Sequence, residues 1–249
     1  VRTELHTHLL PGVDDGPSDE AEALELARLT VADGTGTVVA TPHVSTVRIA
    51  TLPERVARLA SALRRAGIPL EVLPGGELST GDVAAADEAE LEAIAQGPQD
   101  ARWLLLEAPL TFGSPGLSAA AEELRARGYD VLIGHPERSP TFSLDELHRH
   151  VRCGSVVQVN ASSLAGRHGA RARRLGLEVV TSGLPFVLAS DAHSPERPPL
   201  LSEGARELSA AGLDPGEVCS AVDTGPGQLL EAGLGALARS NGQVGRSAA

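Results

Sequence analysis

The sequence predicts an α/β fold: a distorted, TIM-like barrel of seven β/α units with its active site at the C-terminal ends of the strands. Two patterns predict it. Short apolar runs rich in Val, Ile and Leu alternate with segments of helical periodicity, and His, Glu, Asp or Asn recur where the runs end. Short, continuous apolar runs mark parallel strands covered on both faces. A length of 249 residues suits one such domain, expected over residues 1–237, because no Pro/Gly/Ser linker divides the chain. The Gly-, Ser- and Asn-rich end, 238–249, is expected to be a flexible tail.

Residues 3–7 form a plausible opening strand, and Val38-Val39-Ala40 is the first clear buried one. Runs at 70–73, 103–106, 131–133, 156–159 and 186–189 supply the other five. Between the first two, Ser18 is placed to cap a helix that carries Asp19 and Glu20 in its first turn and runs towards Gly34. Pro53 starts a second helix, with Val56, Leu59 and Leu63 on one face and Gly67 as its stop. Ser114-Pro115 starts a third that ends near Gly128, and 143–151 and 170–177 are further helices. This βαβα alternation argues for a parallel sheet with helices outside it.

Charge and composition exclude several functions. The net charge of −12 argues against a nucleic-acid partner, which would need a basic face to displace counterions. All 21 basic residues are Arg, so Schiff-base, P-loop and carbamylated lysines are excluded. No apolar run approaches the roughly 18 to 20 residues that span a bilayer, and no basic segment followed by an apolar one opens the chain. Neither membrane insertion nor a secretory signal is therefore expected. Cys153 and Cys219 lie in no Cys-x-x-Cys pair and are expected as buried free thiols in a reducing cytoplasm. The sixth residues after them are Val159 and Gly225, not Arg, which rules out a Cys-x5-Arg phosphatase loop.

The strongest signal is spacing. His8, His43, Glu77, Glu107 and His135 follow successive strands at intervals of 35, 34, 30 and 28; Asn160 comes 25 later and Asp191 a further 31. A β/α unit takes about 30 residues, and in a β/α barrel all such ends face one mouth. Nine candidate ligands result: His6, His8, Asp14, His43, Glu77, Glu107, His135, Asp191 and His193. Imidazole with carboxylate suits Zn, Mn or Fe, and nine ligands exceed what one ion takes, so two or three ions are expected. Arg138 and Arg197 lie just beyond two of these strands and offer forked donors suited to phosphate. His148, His150 and His168 fall in or beside helices and are read as surface residues. Asn160, Ser162 and Ser163 either hydrogen-bond ligands or substrate, or cap the following helix.

The motifs in order are His6-Thr7-His8 running to Asp14-Asp15-Gly16, Thr41-Pro42-His43, Gly75-Gly76-Glu77, Leu106-Glu107, Gly134-His135-Pro136-Glu137-Arg138, Gln158-Val159-Asn160 with Ser162-Ser163, and Ser190-Asp191-Ala192-His193. The series resembles the PHP metal-dependent phosphoesterases and is most similar to the bacterial PHP-type protein-tyrosine phosphatases of the CpsB/CapC kind. The resemblance implies a PHP barrel with a trinuclear centre of transition-metal ions. By analogy, His6, His8, Glu77 and Asp191 hold the first ion. Glu77 bridges to a second with Glu107 and His135, and Asp14, His43 and His193 hold the third. Arg138 and Arg197 match the family's phosphate-binding arginines, although Arg197 lies one residue nearer the final His than the family pattern has it. The implied reaction is cytoplasmic hydrolysis of phosphotyrosine, on a phosphorylated tyrosine-kinase tail or peptide, in capsular or exopolysaccharide synthesis, with phosphate released. Two alternatives remain: a small-molecule phosphatase such as histidinol-phosphate phosphatase on the same barrel, and a non-catalytic metal-binding regulatory module.

Overall fold

The computed structural model describes residues 1–112 and 116–237. Eight parallel strands form two sheets. The first contains β1 (Arg2–Thr7), β2 (Thr35–Ala40) and β3 (Glu71–Pro74). The second runs in order through β4 (Glu77–Leu78), β5 (Trp103–Glu107), β6 (Asp130–Gly134), β7 (Val156–Asn160) and β8 (Phe186–Ala189). All seven expected strands are present. The eighth arises because the run expected at 70–73 continues past Gly75-Gly76 as β4 in the other sheet. At this crossing the chain presses against its neighbours: a Cβ on Gly75 would lie 2.4 Å from Val39 Cγ1, and one on Gly76 2.7 Å from Val44 Cγ1.

Isolated bridges, rather than ladders, join the sheets at both seams: Thr7 with Ala192, and His43 with Glu77. The backbone bonds His8 N–H to Ala192 O (2.9 Å), Asp191 N–H to His6 O (2.9 Å) and Glu77 N–H to Pro42 O (3.0 Å) carry them. Glu4 reinforces the first seam, its buried carboxylate accepting from His6 N at 2.9 Å and Ser190 N at 2.8 Å. Both seams therefore fall on residues expected as ligands or next to them.

The helices are α1 (Glu20–Ala32), α2 (Leu52–Arg65), α3 (Glu88–Ile94), α4 (Leu117–Ala126), α5 (Leu144–Arg152), α6 (Ala161–Leu164), α7 (Gly169–Val180), α8 (Leu201–Ala210), α9 (Pro215–Cys219) and α10 (Gly225–Ala232). The cap of α1 is Asp19, which accepts from Glu22 N at 3.0 Å; Ser18 instead bonds the Glu22 carboxylate. The expected start of the third helix at Ser114-Pro115 lies outside the described residues, as does the tail from 238. The sequence reading assigns no element to α8, α9 or α10; α9 is started locally by Pro215 and a capping box between Asp214 and Glu217, while α10 packs Leu229 into the core. One buried cluster takes Leu5, Val39, Trp103, Leu105, Leu132, Val156 and Val187 from six strands and is closed by Leu229, Leu234 and Leu237. Trp103 is wholly buried there and donates Nε1–H to Leu229 O at 2.9 Å.

The expectation of buried thiols fails: both cysteines are free, but Cys153 is exposed and Cys219 partly so. Cys153 follows the last turn of α5 as its C-cap, where the chain leaves the core. Among the described residues no helix is long and apolar enough to cross a membrane.

Trp103→Ala removes the largest side chain of the inner cluster and one of the two donors to Leu229 O, which keeps Gly233 N–H at 3.1 Å. It is expected to cost about 3–5 kcal/mol, as buried aromatic truncations do, measured as a lower denaturation midpoint by circular dichroism.

Candidate metal centre

The strand ends deliver their polar side chains to one place. His6 Nε2 lies 3.2 Å from Glu77 Oε1, 3.4 Å from Asp191 Oδ1 and 3.4 Å from His8 Nε2. His8 Nε2 lies 3.4 Å from Glu77 Oε2 and 3.5 Å from Asp191 Oδ1. His135 Nε2 is 3.1 Å from Glu77 Oε1 and 3.8 Å from Glu107 Oε1, and His43 Nδ1 is 3.0 Å from Glu77 Oε2. Donor atoms bound at about 2.1 Å to a tetrahedral ion are roughly 3.4 Å apart, so these spacings are those of ligands around cations. Four groups of donors lie close enough to share an ion: His6, His8 and Asp191; His6, Glu77 and His135; His43, Glu77 and Glu107; and His8, Asp15, His43 and His193.

Asp15 in the last group corrects the sequence reading. Asp14 belongs to none of these groups: its Oδ2 accepts from His43 N at 3.0 Å and lies 2.6 Å from His8 Nδ1, and its Oδ1 accepts from Gly16 N at 3.0 Å. With those bonds it fixes the His8 ring from behind. Asp15 points its Oδ1 at His193 Nε2 (3.3 Å) and His43 Nε2 (3.5 Å), occupying the place expected of Asp14. The other eight candidates all fall within these four groups.

Hydrogen bonds behind the rings select the tautomers. Gln158 Oε1 lies 3.0 Å from His6 Nδ1 and accepts from His135 N at 3.1 Å. His193 Nδ1 lies 2.8 Å from Asp191 O. Protons on these Nδ1 atoms, and on His8 Nδ1 facing Asp14, leave each Nε2 lone pair for a cation. Asn160 joins this layer instead of capping α6: its Nδ2 donates to Asp191 Oδ2 at 2.8 Å, its Oδ1 accepts from Gln158 Nε2 at 2.7 Å, and it makes no side-chain cap bond. Buried His135 Nδ1 has no hydrogen-bond partner among the described residues, and Glu77 Oε2 faces imidazole nitrogens, His43 Nδ1 at 3.0 Å and His8 Nε2 at 3.4 Å. A buried carboxylate oxygen surrounded by imidazole nitrogens fits a metal site.

His135 and Asp191 are the only non-glycine residues with positive φ among the described ones, at 30° and 51°. A left-handed backbone costs such residues roughly 1–3 kcal/mol and is tolerated where surrounding structure imposes it.

The electrostatics show a cluster that needs positive charge. Burial works against protonation of His6 and His8, but the facing carboxylates outweigh it, raising His6 to about 9 and His8 to about 10. Burial would raise Glu77 and Asp191, yet the imidazoles, His6 foremost, hold both carboxyls well below the usual carboxylate range. Burial, with Glu77 next to it, pushes Glu107 upward. His193, buried beside His8, falls to about 4.

The arginines complete the mouth. Arg138 Nη1 pairs with Asp191 Oδ2, and Arg197 Nη1 lies 3.3 Å from Asp15 Oδ2. Two histidines read as surface residues are not at the surface. His150 is buried between α4 and α5, near Ser118 and Arg125 at 3.3 Å each, while His168 is half-buried at the mouth with Nδ1 3.0 Å from Ser163 Oγ. Burial and the nearby Arg138 lower His168 to about 4.

Parallel strands that bring buried imidazoles and carboxylates to one end, with guanidiniums at the rim, define a metal-dependent hydrolase of the TIM-barrel-like kind. The model of one such family, described as capsular polysaccharide synthesis, CpsB/CapC, matches residues 2–212, and the chain belongs to that family. The tyrosine-protein phosphatase YwqE of Bacillus subtilis (strain 168) is 32% identical over 197 residues, covering 77% of each chain. CapC of Staphylococcus aureus is 33% identical over 201 residues, 77% of this chain and 76% of its own. Among solved structures, that of YwqE from Bacillus subtilis and CpsB from Streptococcus pneumoniae, described as unique metal-dependent tyrosine phosphatases, superposes with a TM-score of 0.78 at 28% identity, covering 92% of this chain and 93% of the other. A phosphotriesterase homology protein of Escherichia coli, with a TM-score of 0.60 and 16% identity, shares the fold over 91% of this chain and 97% of its own.

Asp15→Ala is expected to lower the metal content per chain, measured by elemental analysis, whereas Asp14→Ala removes no ligand and weakens affinity about 10- to 100-fold. Without metal, His6 and His8 titrate above the ordinary value of 6.5. The stability they contribute is complete below pH 6.5 and is lost as pH rises through about 9 to 10. The melting temperature of metal-free protein is therefore expected to fall between pH 7 and pH 10. Saturating Mn²⁺ should remove that slope by holding the imidazoles neutral as ligands.

Proposed function

We propose that the chain is a metal-dependent protein-tyrosine phosphatase acting on the phosphorylated tail of a bacterial tyrosine kinase that governs capsular or exopolysaccharide synthesis. One observation carries the reading: two carboxylates of the centre divide their oxygens between imidazoles and guanidiniums. Asp191 and Asp15 turn Oδ1 towards imidazoles and Oδ2 towards Arg138 and Arg197. A phosphoryl group resting on ions held by these residues would meet both guanidiniums at once. Kinship with YwqE, a tyrosine-protein phosphatase, supports the same reading.

The donor set fits two or three transition-metal ions, Mn, Fe or Zn. His6, His8, Glu77 and Asp191 would hold one, Glu77 with Glu107 and His135 a second, and Asp15, His43 and His193 a third. When bound, such ions lower the pKa of water towards neutrality and neutralise phosphoryl oxygens. Arg138 and Arg197 bind the remaining oxygens through forked donors, most tightly as charge spreads in the transition state. A tyrosyl leaving group, with a pKa near 10, departs more readily than a serine alkoxide. The product is inorganic phosphate. The reaction is placed in the cytoplasm, where a kinase tail would be presented and where free thiols such as Cys153 and Cys219 persist.

The test is a paired assay on metal-reconstituted protein with a phosphotyrosine peptide and histidinol phosphate, each with a chelator control. Preference for the peptide, abolished by chelation, is expected; preference for histidinol phosphate would move the enzyme to small-molecule chemistry on the same centre. Arg138→Ala is expected to lower kcat/KM about 10²- to 10³-fold while keeping its metal, and His6→Ala to lose activity and metal together. Full activity in Arg138→Ala would remove the role given to Arg138.

A further inference from the structure

Beside the phosphate-binding mouth, a cavity of about 360 Å³ is lined by Leu110, Arg138, His168, Arg171 and Ala172. It shares Arg138 with the metal centre and runs outward over His168 to the first turn of α7, where Arg171 is exposed. No carboxylate lines it, and Arg171 has no acidic partner among the described residues. Elsewhere on this helix and loop, Arg173 pairs with Glu207 at 2.7 Å and Arg167 lies 4.0 Å from Glu203; Arg174 has no acidic partner among the described residues but lines a different cavity, one that carries Glu178 and Glu207. His168, between the two guanidiniums, is tied through Nδ1 to Ser163 Oγ and, with its low pKa, stays a neutral wall.

A guanidinium on a cavity whose lining holds no carboxylate attracts an anion, because nothing in that lining offsets its charge. Arg138 is already turned to Asp191 and the phosphoryl site, so the open guanidinium is that of Arg171. Leu110 gives the cavity an apolar side, and Phe112 on the same loop is 78% exposed. This suits a stretch of peptide better than a free ion. In a chain of net charge −12, a basic groove leading away from the site has to be built locally, and here it is.

We propose that Arg171, with Leu110 and His168, forms a second subsite that binds an anionic side chain next to the phosphotyrosine of the substrate peptide. The subsite rests on the phosphotyrosine reading above and adds the chemistry of the flanking residue. That anion is a carboxylate or a second phosphate; both offer the paired oxygens that a guanidinium recognises.

The experiment compares kcat/KM of the metal-loaded enzyme on phosphotyrosine peptides that differ only in a flanking Glu, Gln or second phosphotyrosine, with p-nitrophenyl phosphate as a small ester. Wild type is expected to favour the Glu peptide over the Gln peptide about two- to fivefold, as a partly exposed charge pair allows. The gain should lie in KM and shrink as salt rises. In Arg171→Gln that ratio should fall to about one, and Arg171→Lys should restore part of it. The peptide with two phosphotyrosines reports whether phosphate outcompetes carboxylate in the same subsite. A wild type that hydrolyses Glu and Gln peptides equally, or an Arg171→Gln variant that keeps the preference, overturns the subsite and leaves the phosphatase reading intact. A wild type that hydrolyses the small ester but none of the peptides overturns the phosphotyrosine reading and the subsite with it.

Discussion

Glu77 is buried where β2 ends and β4 begins, with imidazole nitrogens of His6, His8, His43 and His135 at 3.0 to 3.4 Å from its two oxygens. A carboxylate in that position has no water to solvate it and persists only with positive charge around it. Protons on the histidines supply that charge in the metal-free chain, which is why His6 and His8 are raised to about 9 and 10. Cations supply it better, because one ion bridges several ligands at once. The requirement reaches beyond the site. His43 and Glu77 form the backbone bridge between the two sheets at one seam, and His6, His8 and Asp191 lie along the bonds that close the other. Binding cations and holding the sheets together are thus one problem solved by the same residues, and metal occupancy feeds directly into folding stability.

The backbone is bent to serve this arrangement. A β/α repeat brings a side chain to each strand end, but it does not by itself aim the side chain at a common point. Left-handed turns at His135 and Asp191 supply the aim, held by Gln158 Oε1 on His135 N and by His6 O on Asp191 N. At β1 a register shift between Glu4 and Thr7 lets Leu5 pack into the inner cluster while His6, the next residue, faces Glu77. The Gly75-Gly76 crossing carries the chain from one sheet to the other, so that Glu77 starts a new strand at the level where the neighbouring strands end.

Much of this was legible in the sequence because it is periodic. Parallel strands are short apolar runs, and the β/α unit fixes the interval from His8 to Asp191, so the register of the site followed from counting residues. What escaped the reading is what depends on a loop or on tertiary packing. Asp14 and Asp15 are adjacent in a loop, and which of them faces the ions is decided by bonds to His8, His43 and Gly16 that no periodicity encodes. His168 precedes α7 and looks like any polar residue at a helix start; its place at the mouth follows from where β7 delivers that loop. His150 could have been read correctly, since it follows Leu147 by three residues on the buried face of α5. The last of the helices after β8, α10, sets Leu229 against the inner cluster, which Leu234 and Leu237 close beyond it, a need visible only once the strands are assembled.

The basic side chains at the mouth are arginines, as are all 21 of the chain, and charge balance sets what they can do there. Asp14, Asp15, Glu77, Glu107 and Asp191 bring five carboxylates to the centre, and Arg138 and Arg197 offset two of them. A bound phosphate monoester adds close to two further negative charges at neutral pH. Two or three divalent ions bring that sum to within about one charge of zero, whereas without ions the anionic substrate would meet a strongly negative pocket. On the proposed reading, the arginines alone would not create a phosphate site; they would finish one that the cations make possible. Their permanent charge suits the part, because an ammonium squeezed between cations and a basic rim sheds its proton more readily than a guanidinium does. Tied to the outer oxygens of Asp191 and Asp15, both guanidiniums are already held at the edge of the ion sites, so substrate binding requires an exchange of partners and no large movement of either side chain.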